Sequence, residues 1–324
     1  MRRYGMLLLV LALGACGRSA PENGQHTQGE PQGFGPAAAY ERRILFVAPN
    51  GDPRAAEFEF ALVNDSTTLY RSARVTVIAD TAWRTLVDTA WTMAPMRDPW
   101  RLVPLPSLRL IVGEDDELQA LIHHGDKEMR LELHRSLGEY SPDGGTRMQL
   151  READLVDGAA SSTGIVLDVQ LGRSITSSSA LQALVAAGGA TLAAPLIARI
   201  DATAPSETRA ETLLVGQGVL LSAGASAAGP VAWLQEGQQE DVWEGAHLVA
   251  TSDVGPASPG EPDWRLVRSN GNVAGELQTI SNHVTDLQDA SGLHGALGVN
   301  IVRGWIETHG ERRDVVGIVR YVRG

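Results

Sequence analysis

The chain has 324 residues, with 27 basic and 39 acidic side chains and a net charge of −12. This acidic balance argues against nucleic-acid binding, which needs a basic surface to neutralise phosphates. Because Cys16 is the only cysteine, the chain has neither a disulfide framework nor a thiolate metal site. The length is enough for one large or two ordinary domains, each with its own hydrophobic core.

The first sixteen residues have the pattern of an export signal. Arg2 and Arg3 give a positive start, residues 6–13 form an uncharged apolar run, and Leu13-Gly14-Ala15-Cys16 ends it with small residues. The apolar run is too short to cross about 30 Å of hydrocarbon as a helix. We therefore predict that residues 1–15 are a signal peptide.

The sequence Leu13-Gly14-Ala15-Cys16 resembles the lipobox of bacterial lipoproteins. The resemblance implies that a diacylglyceryl group is attached to the Cys16 thiol, that cleavage makes Cys16 the mature N-terminus, and that its amine receives a fatty acid such as palmitate. Several acyl chains on one residue hold a protein stably at a membrane, whereas a single chain binds marginally. Gly17 stands where an aspartate tends to retain such lipoproteins in the inner membrane, so the outer membrane is favoured in a diderm cell. The alternative is an ordinary secretory signal or an uncleaved anchor.

Residues 16–39 are predicted to be the lipidated cysteine and a disordered tether. Residues 17–39 contain five Gly and three Pro among mostly small or polar side chains. Such a segment buries too little surface to offset the entropy lost on ordering. Removal of residues 1–15 also removes Arg2 and Arg3, so the mature chain carries a net charge of −14.

Residues 40–175 predict a first β-rich module. Runs rich in Val, Ile and Phe occupy residues 44–47, 57–63 and 74–78. Glu57-Phe58-Glu59-Phe60 alternates with the period of a half-buried strand. Two prolines within residues 101–112 indicate an edge strand or two short pieces.

The next part of this module carries a local repeat and two hairpins. The repeat, at residues 80–83 and 88–91, fits either one helical face or one strand face; strand-rich surroundings favour the strand. On that strand the side chains expected to share a face are Trp83, Thr85, Val87, Thr89 and Trp91. Residues 118–123 and 128–134 predict a hairpin about Gly125-Asp126, and residues 147–156 and 165–171 predict a second pair.

Residues 176–210 are rich in Ala, Gly and Ser and are predicted to connect two modules. A short helix at 177–187, a hairpin about Gly188-Gly189 and a transmembrane helix at 180–198 are all alternatives there; Pro195 and the Gly pair weigh against the last. Residues 211–324 again predict short strands, including a closing hairpin about His309-Gly310. The fold class expected is mainly β: antiparallel sandwich or barrel modules, two in tandem, with little helix.

Signatures of common catalytic classes do not occur in the sequence. It has no Walker loop, no Gly-x-Ser-x-Gly and no His-Glu-x-x-His. A histidine-rich stretch is best interpreted as a solvated hairpin tip, because adjacent residues of a strand point to opposite faces. Its members are His123, His124, Asp126, Glu128 and His134. Scattered polar groups near the end of the chain are interpreted as ordinary surface or core residues: Asn282, His283, Asp286, His294 and His309. We therefore predict no catalytic residue, metal site or cofactor.

The strongest candidate ligand site is the segment around residues 233–247, in which tryptophans stand beside carboxylates. Its residues are Trp233, Trp243, Glu244, His247 and Trp264. Tryptophan next to carboxylates is typical of carbohydrate sites, but tryptophan is also an ordinary core residue in packed sheets. Carboxylates that could serve as acid and base are Glu236, Glu240, Asp241 and Glu244.

The sequence thus favours a membrane-anchored lipoprotein whose β-rich body binds a ligand or an envelope partner without catalysis. In style, two successive β-modules are similar to lipocalin-like tandem barrels, and that likeness implies an apolar small molecule as ligand. One alternative is an anchored hydrolase that acts on envelope polysaccharide through the carboxylates near Trp243. Another is an assembly or scaffold lipoprotein that offers an edge strand to another envelope protein. The partners expected are the membrane, through Cys16, and an apolar small molecule, a glycan or an envelope protein, but no nucleic acid.

Overall fold

The computed structural model describes residues 38–49, 54–64, 69–79, 82–93, 108–112, 118–124, 127–174, 208–226, 229–251, 263–287 and 295–323. Every regular element among these residues is a β-strand. The predicted signal peptide, Cys16, the tether and most of the predicted connecting region lie outside the described residues. In the part of the chain that is described, no helix is long and apolar enough to cross a membrane.

The first nine strands form one antiparallel sheet, which we call module 1. They are β1 Ala38–Ala48, β2 Arg54–Asn64, β3 Leu69–Ala79, β4 Ala82–Met93, β5 Leu108–Val112, β6 Leu118–His124, β7 Lys127–Asp143, β8 Thr146–Asp157 and β9 Ala160–Ser174. Their order across the sheet is β4-β3-β2-β1-β9-β8-β7-β6-β5. Consecutive strands are therefore neighbours, except β4 and β5, which lie at the two opposite edges; the first strand, β1, pairs with the last, β9.

The last nine strands form a second antiparallel sheet, module 2. They are β10 Arg209–Gly216, β11 Val219–Ser226, β12 Gly229–Glu236, β13 Gln239–Glu244, β14 His247–Ala250, β15 Trp264–Val267, β16 Val273–Asp286, β17 Ala296–Thr308 and β18 Glu311–Arg323. Their order is β13-β12-β11-β10-β18-β17-β16-β15-β14, which repeats the order of module 1 strand for strand. Both sheets curl, one into a nearly closed barrel and the other into a half-barrel. The predicted fold class, mainly β in two tandem antiparallel modules, is confirmed.

The central strands of each sheet are buried on both faces. Side chains alternate along a strand, and on β1 Ile44 and Phe46 face the interior of module 1, whereas Leu45 and Val47 pack against module 2. Module 2 has a separate interior of its own. The described residues thus form three main apolar layers: two module interiors and the interface between the modules.

Several local predictions are confirmed and two are wrong. Residues 82–93 form a strand, residues 108–112 lie at a sheet edge, and the hairpin about residues 125–126 is present. The half-buried interpretation of β2 is wrong, because Glu57 and Glu59 are 0% and 1% exposed where β2 packs against module 2.

The single tryptophan face predicted for β4 is also wrong. Val75 lies opposite Val87 but Thr76 lies opposite Thr85, so Leu86 is an extra residue in a β-bulge. The bulge reverses the alternation. Trp83 consequently packs at the interface between the modules, and Trp91 packs in the interior of module 1.

Candidate functional site

The two modules meet through a closely packed apolar surface. The indole ring of Trp233 on β12 is fully buried there and lies 5.8 Å from the ring of Tyr140 on β7. Gly138 permits this approach, because a Cβ atom at that position would overlap Nε2 of Gln235 and lie 3.0 Å from the Trp233 ring. The Gln235 amide in turn donates to the carbonyl of Leu137, at 3.1 Å. Burial of this surface from water favours the association of the modules.

A set of ionised side chains is buried in the same interface. Arg320 on β18 donates to Oε1 of Glu57 at 2.8 Å and to Oε2 of Glu59 at 2.7 Å, and all three side chains are at most 2% exposed. Arg43 on β1 forms ion pairs with Glu41 on its own strand and with Glu211 on β10. Charge pairs therefore tie β1 and β2 of module 1 to β10 and β18 of module 2.

This charged set carries more carboxylates than guanidinium groups. Burial raises the pKa of Glu57 above its ordinary value of 4.5, and Arg320 and Arg74 oppose that rise only in part. Burial by itself lowers the pKa of Arg320, but the carboxylates of Glu59 and Glu57 more than offset it, so that Arg320 keeps its charge. A low-dielectric site makes both effects large.

A second β-bulge, in β16, determines which side chains of that strand face module 1. Thr279 lies opposite Val302 and Ser281 lies opposite Ile301, so Ile280 is the extra residue and the alternation reverses beyond it. As a result, Thr285 accepts a hydrogen bond from Arg74, and His283 lies 3.3 Å from Oγ1 of Thr85. Burial and the nearby Arg74 lower the pKa of His283, which keeps its ring neutral at pH 7.

The interior of module 1 is divided along its length. Towards the end of β1 it is lined by apolar side chains such as Ile44, Phe46, Phe58 and Val166. Towards the start of β1 it becomes polar. There Arg42 donates from Nε and Nη2 to the two carboxylate oxygens of Asp168 on β9, at 2.9 and 2.5 Å.

We use the term "polar end" for seven interior side chains near the start of β1. At this end of the sheet β2, β7 and β9 end, and β3 and β8 begin. These side chains are Arg42, Arg71, Glu139, Arg147, Gln149, Arg151 and Asp168. Cross-strand pairing places them on the interior face: Arg71 is opposite Trp91, Arg151 opposite Val166, and Gln149 opposite both Asp168 and Glu139. Arg147 and Gln149 both donate to Glu139.

The polar end reaches solvent. Among the described side chains it holds four guanidinium groups and two carboxylates. Arg42, Arg71 and Arg151 are buried, whereas Glu139 and Arg147 keep 45% and 30% of their side chains exposed. Burial lowers the pKa of Arg71, and the Arg147 hydrogen bond lowers the pKa of Glu139.

The five residues of the sequence-predicted ligand site do not converge on one surface. Trp233 is buried between the modules, and Trp264 is buried in the interior of module 2. Trp243 packs against that interior beneath the Arg268 guanidinium, which lies 4.3 Å from the ring centroid. Glu244 and His247 are exposed. Two of the three tryptophans thus have no ring face open to a sugar.

The carboxylates near Trp243 line an open cavity of about 400 Å³ at the end of module 2. Glu236, Glu240, Asp241 and His309 belong to its wall. Hydrogen bonding by His309 is the main cause of the lowered pKa of Glu236, and Arg313 also contributes. Asp241 accepts a hydrogen bond from the Trp243 indole at 2.7 Å. A carboxyl group held ionised in this way is the opposite of the general acid that glycoside hydrolysis requires.

The described residues of the histidine-rich stretch likewise do not lie together. His123 lies opposite Glu128 on the β6–β7 hairpin, whereas His134 forms a 3.0 Å contact with Asp154 on β8. Asp126 and His294 are outside the described residues. Within the described ranges no group of three or more His, Cys, Asp or Glu side chains could hold a metal ion.

Comparison with known proteins identifies solved structures that are similar in fold, but no protein that is similar in sequence. No family model and no curated protein matches the chain. A protein from Nitrosomonas europaea with the provisional name AttH has a TM-score of 0.54 at 9% identity, over 93% of this chain and 98% of that one. Kievitone hydratase from Nectria haematococca has a TM-score of 0.52 at 11% identity, over 91% and 92%. CghA, crystallised with Sch210972, has a TM-score of 0.46 at 10% identity, over 89% of each chain.

At these identities the likeness shows the fold alone. The first two relatives are matched over nearly their whole length, so the likeness includes both modules and not just one. The class that fold and comparisons define is a tandem β-module protein with a lipocalin-like kind of fold.

Sequence reasoning missed the interface charges and the polar end. Arg42 and Asp168 are 126 positions apart, and Glu57 and Arg320 are 263 apart. The one local signal was the pair of glutamates on β2, interpreted there as a solvent face. The unbroken apolar run at residues 44–48 of β1 would have indicated that the neighbouring strands are covered on both faces as well.

Proposed function

We propose that the protein is an exported lipoprotein, anchored through acylated Cys16, whose two-module body binds a ligand without catalysing a reaction. The observation that carries the proposal is the position of the only cysteine, at the end of Leu13-Gly14-Ala15-Cys16 and directly after an uncharged apolar run. With Gly17 after the cysteine, the outer membrane is the favoured site in a diderm cell. The strongly acidic body suits a water-exposed position beside the membrane.

Hydrolysis through the carboxylates near Trp243 would need a general acid beside a base or nucleophile. Glu236 is held ionised by His309 and Arg313, so it fits only the second role. The interior of module 1, by contrast, combines a packed apolar core with a polar end that reaches solvent. Binding sites of small molecules are typically concave and apolar with a few placed polar groups.

Replacement of the cysteine tests the anchor. We expect Cys16→Ser to move the protein from the membrane fraction to the soluble fraction, because the acyl chains supply the membrane affinity. In the matched variant Gly17→Asp the acylated cysteine remains, and a diderm cell should hold that variant in the inner membrane. Membrane association of Cys16→Ser equal to that of the wild type would refute the proposal.

A further inference from the structure

Two equivalent strands, β7 and β16, reach from one module to the other. They occupy the same place in the strand order that the two sheets share. The register of each strand is interrupted, and beyond the interruption its side chains contact the third or fourth strand of the other module. We use the term "β7 arm" for residues 137–140, which contact β12, and "β16 arm" for residues 281–286, which contact β3 and β4.

The contact of the β16 arm with module 1 is a chain of hydrogen-bonding groups. Nε of Arg74 donates to Oγ1 of Thr76 at 3.2 Å, and that oxygen lies 3.5 Å from Oγ1 of Thr85. Oγ1 of Thr85 lies 3.3 Å from Nε2 of His283 on the β16 arm. Nη2 of Arg74 also donates to Oγ1 of Thr285 on the same arm. Hydroxyl groups thus join a guanidinium of module 1 to an imidazole of module 2.

The direction of these hydrogen bonds requires a neutral His283. Because the Arg74 guanidinium can only donate, the hydroxyls of Thr76 and Thr85 can each donate onward, and Nε2 of a neutral ring accepts the last hydrogen. A protonated ring donates from both nitrogens and accepts nothing. The chain would then have a donor at each end, and the hydroxyl hydrogen of Thr85 would have no acceptor within it.

Charge acts in the same direction as hydrogen bonding. Burial and the nearby Arg74 lower the pKa of His283 below its ordinary value of 6.5, because an imidazolium would lie beside a guanidinium. Residue Val299, opposite His283 on β17, carries no charge. The other charged side chains described on β2, β3, β4 and the β16 arm are either held by Arg320 or exposed to solvent, where their effect is screened. They are Glu57 and Glu59, held by Arg320, and Arg84, Asp88 and Asp286, which are exposed.

The β7 arm makes its contact without a group that titrates in mild acid. The ring of Tyr140 packs on Trp233, and the Gln235 amide donates to the carbonyl of Leu137. Burial raises the pKa of Tyr140 above its ordinary value of 10.0, so that its hydroxyl is neutral. Acid should therefore weaken the contact of one arm and leave that of the other unchanged.

We propose that the β16 arm is a proton-sensitive latch between the modules, closed while His283 is neutral and released when His283 takes up a proton in mild acid. The proposal goes beyond the proposed function and depends on neither the anchor nor a ligand. Since the released arm binds the proton more readily than the closed arm, the closed arm is fully favoured above pH 6.5 and becomes less favoured as pH falls. A difference of one bound proton changes this equilibrium by at most about tenfold for each pH unit.

Distances between spin labels on the two modules measure the release of each arm. Cys16 is the only cysteine, so the full chain with Cys16→Ser accepts labels at introduced cysteines alone. One label pair, Ala82→Cys with Val284→Cys, uses exposed positions on β4 and the β16 arm. The other pair, Ser136→Cys with Gln239→Cys, uses exposed positions next to the β7 arm and on β13. Between pH 7 and pH 5 we expect a longer distance to appear for the first pair only, in double electron–electron resonance.

Substitution of the histidine assigns the response to its proton. His283→Gln keeps a hydrogen-bonding side chain that cannot be protonated, so the first label pair should show the short distance at both pH values. His283→Lys carries its charge at pH 7 and should show the longer distance already there. His247→Gln is the matched control, because His247 is exposed and contacts only its own hairpin carbonyl, at Gly245, among the hydrogen bonds described; its pH response should equal that of the wild type.

The outcomes decide the proposal whether or not every variant folds. Circular dichroism shows whether a variant is folded, and if His283→Lys is not, the comparison of wild type with His283→Gln still decides. An unchanged distance in the wild type between pH 7 and pH 5, or an equal change in folded His283→Gln, would overturn the proposal. So would an equal lengthening of both label pairs, since it would show that the modules separate as a whole.

Discussion

Removal of Arg320 should weaken the interface between the modules, because two buried carboxylates would be left without their partner. In Arg320→Met, Glu57 and Glu59 lose hydrogen bonds of 2.8 and 2.7 Å while staying in a site where they are at most 1% exposed. Loss of one partner from a buried ion pair costs about 3–5 kcal/mol. Neutralising the Glu57 carboxyl, whose ordinary pKa is 4.5, costs ~3.4 kcal/mol at pH 7, which is a loss of the same size.

The loss should depend on pH with a defined sign. The folded variant binds protons that the unfolded chain does not, so its free energy of unfolding falls as pH rises. Because the folded-state pKa of Glu57 is raised, its contribution to stability is complete below its ordinary pKa of 4.5 and is lost as pH rises through the folded-state pKa. At pH 5 the cost of protonating Glu57 is only ~0.7 kcal/mol. The difference between wild type and Arg320→Met should therefore shrink by about 2 kcal/mol or more between pH 7 and pH 5.

Urea denaturation followed by tryptophan fluorescence and far-ultraviolet circular dichroism at the two pH values measures this difference. Arg135→Met is the matched control, because its exposed pair with Glu152 should contribute less than ~1 kcal/mol. The triple variant Arg320→Met, Glu57→Gln, Glu59→Gln removes the charges together and should recover a large part of the stability. A loss below ~1 kcal/mol, or an equal loss at both pH values, would refute the reasoning.

Two further predictions concern the interface and the cavity of module 2. Gly138→Leu should lower the free energy of unfolding by about 1–3 kcal/mol, because the side chain enters the space of Trp233; Gly144→Leu, with no atom within 4 Å of its Cβ, should be near neutral by the same urea assay. Equal losses in the two variants would contradict the packing argument. His309→Ala should raise the pKa of Glu236 towards 4.5, since the His309 hydrogen bond is the main cause of its lowering; a carboxyl titration by NMR measures the shift, and an unchanged value would exclude that cause.

The element types could be predicted from the sequence because they depend on local chemistry. Alternating Val, Ile and Phe with turn residues at 125–126 and 309–310 identified strands and hairpins that the structure contains. The two-module division followed from a change in composition between them. Such signals extend over a few residues, so they need no knowledge of the remaining chain.

Which face of each strand is buried, and against what, could not be predicted in the same way. Leu86 and Ile280 reverse the alternation through bulges that no neighbouring Gly marks. The five residues of the predicted ligand site are spread apart for a related reason: Trp233 and Trp243 stand on opposite faces of a hairpin, one towards module 1 and one towards the module 2 interior. Which face is solvent depends on strands far away in sequence.

The pairing of the first strand with the last has a consequence for the time at which each module can form. β1 is completed only by β9, with Ala38 opposite Ser174, and β10 only by β18. Neither sheet therefore reaches its final strand order until its last strand has left the ribosome, and the high sequence separation of these contacts slows closure further. A chain that stays open in this way is compatible with the export before folding that the proposed function requires. The topology that brings the first strand of each module against its last thus also delays completion of the sheet until the whole module has been synthesised.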